Sequence, residues 1–142
     1  MTLQNLLRIG KLKAHEPTPA EVQRLLAAIE RNLADAAVAH ISDETRFDAA
    51  YKAVMQCALV AMLAAGYRPS TSEPGHHQTM IQSLPLTLGV ANDVWVVLDA
   101  LRKQRNANDY TGQPITPALV EECIDQARAL RQQLQALLAS QH

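Results

Sequence analysis

The groups best able to do chemistry are concentrated in the run Leu101-Arg102-Lys103-Gln104-Arg105-Asn106-Ala107-Asn108-Asp109-Tyr110. Val94, Leu98 and Leu101 form one inward helical stripe, and the next step along it lands on Arg105. A guanidinium is costly where a core side chain is expected, unless it is paired or opens onto a groove or a partner. Asp109, four residues on, offers the carboxylate of a pair that closes the helix end, and Asn106 supplies an amide beside it. The other reading is an Arg105 that opens onto a groove or a partner. The residues alone leave both open.

His76-His77 is the second concentration. Adjacent helical positions point about 100° apart, so at most one is expected to face a given site. Pro74 and Gly75 before them suggest an exposed helix N-terminus, where a phosphate or other anion is favoured. The plainer reading is a pair of surface or capping histidines. No third His or Cys stands at ligand spacing, and His15, His40 and His142 are scattered, so neither a metal nor a cofactor is expected. Asp48 and Lys52, four apart in the favourable order, read as a solvated ion pair. Cys57 and Cys123 are isolated and read as reduced packing residues. No phosphate-binding glycine loop, H-E-x-x-H or G-x-S-x-G occurs, which excludes those particular mechanisms.

The elements that must position these groups are helical. Leu3, Leu6, Leu7 and Gly10 predict a short helix over 3–12, broken by His15 to Pro17. Thr18-Pro19-Ala20-Glu21 is a helix start, with Thr18 as cap, Pro19 at the first turn and Glu21 reaching back. Val22, Leu25, Leu26, Ile29 and Leu33 carry that helix to about Ala39. Ser42 caps a third helix, apolar on every side because only Gln56 is polar between Ala53 and Ala65; Gly66 ends it. Tyr67 to Gly75 reads as a loop, followed by a short helix from Pro74 to Ser83. Leu84 to Ala91 has no clear assignment. Asn92 or Asp93 caps the next helix, Asn106 to Gln113 reads as a polar turn, and Thr116-Pro117 opens a final helix through Leu137. No strand is expected. The sum is an all-α, up-and-down bundle of about four main helices with one or two short ones.

Length and composition agree. The 142 residues fit one domain over 1–142, its core at about 18–138 and an N-terminal helix over 1–14. Thirteen Lys+Arg against fourteen Asp+Glu give a net charge of −1, without the global basic excess of a typical nucleic-acid binder. Aromatic residues supply 4%, which favours helices over strands. The longest apolar run, Cys57 to Ala65, is less than half of a membrane span, and no signal-peptide pattern opens the chain. A cytoplasmic protein without membrane contact is expected. Because the third helix is apolar all round, a second copy is expected to help cover the bundle.

The run Arg105-Asn106-Ala107-Asn108-Asp109-Tyr110, after the Leu98-Asp99-Ala100-Leu101-Arg102 helix, resembles the signature end of a HEPN domain. So do Phe47-Asp48-Ala49-Ala50-Tyr51-Lys52-Ala53-Val54 and the helix start Gly75-His76-His77-Gln78. The resemblance spans roughly Thr18 to Leu137. It implies a small helical bundle that pairs as a homodimer. Many such domains are RNA-cleaving toxins of toxin–antitoxin or phage-defence systems; others accompany minimal nucleotidyltransferases, or bind nucleotides without cleaving RNA.

The ribonuclease members carry an arginine, commonly a polar residue next, then a histidine after four to six positions. Arg105 and Asn106 match the first two, but Tyr110, Thr111 and Gly112 stand where the histidine belongs. An Asp-Tyr-ending branch of the family fits better. Metal-free cleavage needs a group exchanging protons near neutrality, as imidazole does at a pKa of about 6.5. A phenol near 10 does so poorly. The resemblance therefore implies a nucleotide or RNA binding module using Arg102, Arg105, Asn106, Asp109, Tyr110, His76 and His77. The alternatives are a metal-independent ribonuclease toxin, in which Tyr110 or His77 replaces the histidine, and a helical partner of a nucleotidyltransferase or antitoxin.

Overall fold

The computed structural model describes residues 1–72 and 74–141. His142, one of the scattered histidines, lies outside them. Among the described residues the protein is helical apart from one small sheet: α1 (Leu3–Arg8), β1 (Leu12–Ala14), α2 (Pro19–Ala36), α3 (Asp43–Ala64), β2 (Tyr67–Pro69), α4 (His76–Gln82), α5 (Leu84–Thr87), α6 (Asn92–Thr111) and α7 (Pro117–Ser140).

The caps read from sequence form. The hydroxyls of Thr18, Ser42 and Thr116 accept from the amides of Glu21, Thr45 and Leu119 at 3.1, 3.1 and 3.2 Å. Each satisfies a donor that the first turn cannot pair internally. The Glu21 side chain does not reach back to the helix start. It engages His15 Nε2 at 2.9 Å, and that imidazole holds the Glu21 carboxyl below its usual range.

α3 is the centre, packed mainly between α2 and α7, with α4, α5 and α6 covering another side. Phe47, Ala50, Cys57, Ala61 and Met62 are fully buried on it. Each large apolar side chain so buried contributes about 1.5–3 kcal/mol. By length and composition α3 is apolar enough to cross a membrane, but 72% of its most apolar window is buried inside the fold. Cover for α3 thus comes from within one chain, and the reason for expecting a second copy on that ground falls away. Arg46 Nε donates to the Ala36 carbonyl at 2.8 Å, closing the end of α2. Arg131 meets Glu30 at 2.9 Å and joins α7 to α2.

Several expectations need correction. The chain does hold strands: β1 and β2 pair antiparallel with Leu12 opposite Pro69 and Ala14 opposite Tyr67. Three-residue strands paired across more than fifty residues leave no periodicity to read. This ladder shortens the first helix to Arg8, because Gly10 turns the chain at φ +82°, and it turns the start of the supposed loop at Tyr67 into a strand. The polar turn from Asn106 is also absent. α6 continues through it to Thr111 and stops where Gly112 adopts φ +71°. Finally, neither Asn92 nor Asp93 is the cap of α6; Ala91 stands there with extended backbone and no side-chain bond.

Candidate functional site

The extension of α6 by one and a half turns builds a groove between α3, α4 and α6. Its volume is about 440 Å³, within the range of small-molecule sites. Asp48, Tyr51, Lys52, Met55, Gln56 and Leu59 line it from α3. Their spacing of i, i+3, i+4, i+7, i+8 and i+11 is one face of a helix. α4 contributes His76, His77 and Met80, α6 contributes Arg105 and Asp109, and Pro69 and Thr71 close one side.

Tyr51 organises the polar end. It is 3% exposed, stacked on Phe47 with ring centroids 6.4 Å apart. The Arg105 guanidinium sits over its ring at 5.1 Å, a cation–π arrangement. Its hydroxyl lies 3.3 Å from His77 Nδ1. Burial pushes the phenol up to about 12, only partly countered by Arg105 and Arg102, so it keeps its proton. Burial, then His76 and the two arginines, lowers the His77 imidazole. The protonated phenol can donate to Nδ1 when the ring proton is on Nε2, or accept from Nδ1–H in the other tautomer.

His76 and His77 both line the groove, with rings edge to face at 4.7 Å. The expectation that only one faces a site fails because the groove wraps over the first turn of α4. That helix has seven residues, and the groove, not the helix end, collects the histidines.

Arg105 falls between its two readings. Its Nε lies 3.7 Å from Asp109 Oδ2, beyond hydrogen-bond distance, and the two side chains are 34% and 43% exposed. The guanidinium is therefore held by a ring face and open to the groove. Arg102 is committed elsewhere: its Nε donates at 2.8 Å to Asp99, a buried carboxylate that Lys103 also approaches at 3.6 Å. Asn106 is half-buried on α6 and outside the groove lining. Tyr110 is 86% exposed and also outside it. Asp48 and Lys52 do not close into an ion pair; both are exposed at the groove mouth. Burial and then Asp109 raise the Asp48 carboxyl, with Arg105 and Lys52 opposing.

Of the residues singled out by type, the fold gathers Arg105, Asp109, His76 and His77. It adds Tyr51 and Met55 from the apolar third helix, Gln56, the one polar residue in that helix's apolar stretch, and Met80 from α4. The available signal was the stripe itself: Asp48, Lys52 and Gln56 are polar at i, i+4 and i+8 on an otherwise apolar helix. The arrangement can hold an anion at Arg105 and Lys52, accept donors at Asp48 and Asp109, and pack a flat apolar body on two thioethers. Among the described residues no cluster of three His, Cys, Asp or Glu stands ready for a metal. Cys57 and Cys123 are buried and free, their thiols pushed up to about 12 by burial, hence inert.

A larger cavity of about 650 Å³ lies between β1, α2, α3 and α7. Its one imidazole, His15, is already engaged by Glu21, so it offers fewer free groups than the α3–α4–α6 groove. No protein-family model, curated protein or solved structure matches the chain.

Proposed function

We propose that the chain is a HEPN-like, up-and-down helical bundle that binds a nucleotide, or a nucleotide of an RNA, in the α3–α4–α6 groove without turning it over. The observation that carries this reading is Arg105. It is a permanent cation stacked on Tyr51, with no hydrogen-bonded carboxylate among the described residues and with Lys52 alongside. Such a guanidinium has donors to spare for a phosphate. The setting we infer is a cytoplasmic homodimer, an accessory component of a toxin–antitoxin or related defence module that acts with an antitoxin or nucleotidyltransferase.

One observation favours a second reading, the metal-independent ribonuclease. His77 shares the groove with Arg105 and is a neutral imidazole, so it is able to take a proton. Against turnover, Tyr51 holds its proton up to about 12 and is a poor acid at neutral pH. Tyr110, the residue at the histidine position, is outside the groove.

Two measurements separate these readings. Titration calorimetry with nucleoside 5′-monophosphates should show binding that weakens at least about tenfold in Arg105→Ala, the loss of one strong charged contact. No binding to the wild-type protein would end the nucleotide reading. Incubation with total RNA in chelator should leave the RNA intact. Cleavage abolished by both Arg105→Ala and His77→Ala would establish the ribonuclease instead.

A further inference from the structure

The groove is polarised along α3. Asp48 and Lys52 stand at its charged end with Arg105, which lies over Tyr51, and Asp109, whereas Met55 and Leu59 follow one to two turns further along α3; Met80 and Pro69 also line it. Met55 and Met80 are 7% and 6% exposed, so their thioethers form a packed, polarizable wall. Sulfur makes favourable contacts with aromatic rings, and an unbranched Met adjusts to a flat face. One polar side chain interrupts this wall. Gln56 is the single polar residue between Ala53 and Ala65 and is half-buried.

Gln56 is held from behind. Asn32 on α2, which does not line the groove, donates from Nδ2 to Gln56 Oε1 at 2.8 Å. Gln56 lines the groove, and with its oxygen so engaged the group left to meet a ligand is the amide nitrogen, which has no acceptor among the described residues. It is not sealed from solvent either, since the only fully buried, unpartnered side-chain nitrogen or oxygen among the described residues is Arg131 Nε. A donor fixed in direction, set in an apolar wall and left without an acceptor, is the arrangement that selects an acceptor on a ligand.

Resting on the reading that the groove takes a nucleotide, we infer that its apolar end is the nucleobase subsite. There Gln56, positioned by Asn32, donates to the carbonyl oxygen O4 of uracil or O6 of guanine. Cytosine and adenine carry an amino group at that position, which would set donor against donor. The phosphate then lies toward Arg105 and Lys52. Gln56 is a specificity-determining residue on this view, and Asn32 a positioning residue.

Calorimetric titration of UMP, CMP, GMP and AMP into the full chain tests this. The wild-type protein should prefer UMP to CMP and GMP to AMP by about tenfold, as one well-placed base contact typically gives. Gln56→Met should bind all four alike, Gln56→Glu should shift preference toward CMP and AMP, and Asn32→Leu should narrow the wild-type preference. Circular dichroism identifies variants that retain the helical fold, and Gln56→Glu keeps the shape if Gln56→Met does not. Equal binding within both pairs by the wild-type protein, or a preference that survives in Gln56→Met, overturns the assignment while leaving nucleotide binding intact. Failure to bind any of the four removes the nucleotide reading and this one with it.

Discussion

The Tyr51 hydroxyl and His77 Nδ1 lie 3.3 Å apart and join α3 to α4 across the floor of the groove. The bond gives a phenol otherwise packed in the core a hydrogen-bond partner. Tyr51→Phe should therefore lower stability by about 1 kcal/mol, the net worth of one hydrogen bond. His77→Ala should remove part of the same energy. A double-mutant cycle by denaturant unfolding should show the two effects to be non-additive. Additivity would mean that the hydroxyl and the ring act independently.

The lowered His77 pKa sets a pH dependence with a definite sign. The unfolded imidazole titrates near 6.5 and the folded one below it. The unfolded state then binds more protons as pH falls through 6.5, so the folded state loses stability from there down to the folded pKa. Above 6.5 the contribution is complete. Thermal melts from pH 8 to pH 5 should show a fall in Tm that is smaller in His77→Gln. Equal falls in both proteins would assign the acid limb to other groups.

Asp48 works in the opposite direction. Its folded pKa is raised, chiefly by burial and then by Asp109. The carboxylate is thus a net cost at neutral pH, and that cost is relieved as pH falls through the folded pKa. Asp48→Asn should raise Tm at pH 7, modestly because the group sits at an open groove mouth, and the gain should shrink toward pH 4. A fall in Tm at pH 7 would mean that the carboxylate is paired in a way that the Arg105 and Lys52 geometry does not show.

The difference between what was legible in the sequence and what was not follows from the range of each signal. Thr18-Pro19, Ser42 and Thr116-Pro117 act within one helical turn, and the structure has caps at all three. The pairing of Leu12 with Pro69 is decided by the fold around it, and no local pattern announces it. Asn106, Asn108 and Asp109 are weak helix formers and read as a turn, but the φ > 0 that ends a helix is supplied by Gly112. That error hid the groove, because only a helix reaching Asp109 brings Arg105 and Asp109 onto the wall opposite Asp48. Tyr51 was legible as a buried residue. Its second role was not, since the hydroxyl partner comes from α4, twenty-six positions away.

Arg105 has two attachments, a loose ion pair and a ring face, and their energies predict different mutants. An exposed pair such as Arg105–Asp109 contributes about 0–1 kcal/mol, and a partly exposed cation–π contact about 0.5–1 kcal/mol. Asp109→Ala should therefore cost no more than about 1 kcal/mol, and Arg105→Ala, which loses both attachments, about 0.5–2 kcal/mol. A large loss in both, non-additive in the double variant, would make the pair a structural closure of α6 and remove Arg105 from the groove.

The proposed homodimer can be tested on α6 and its surroundings. Of its twenty residues, Leu98, Asp99 and Leu101 are buried, while Val96 is 53% exposed. Leu86 on α5 and Met1 are also exposed, and with Trp95 they line one shallow cleft. Exposed apolar groups on α6 and on the neighbouring α5 suit the two-fold pairing proposed for the protein, in which the same patch meets its own copy. Light scattering at micromolar concentration should give twice the 15.6 kDa chain mass. Val96→Glu, which places a charge on the exposed face without disturbing Leu98 or Leu101, should shift the protein to the monomer with its helical content and melting temperature largely retained. A wild-type protein at 15.6 kDa would exclude the homodimer, and a dimer indifferent to Val96→Glu would move the interface away from this face of α6.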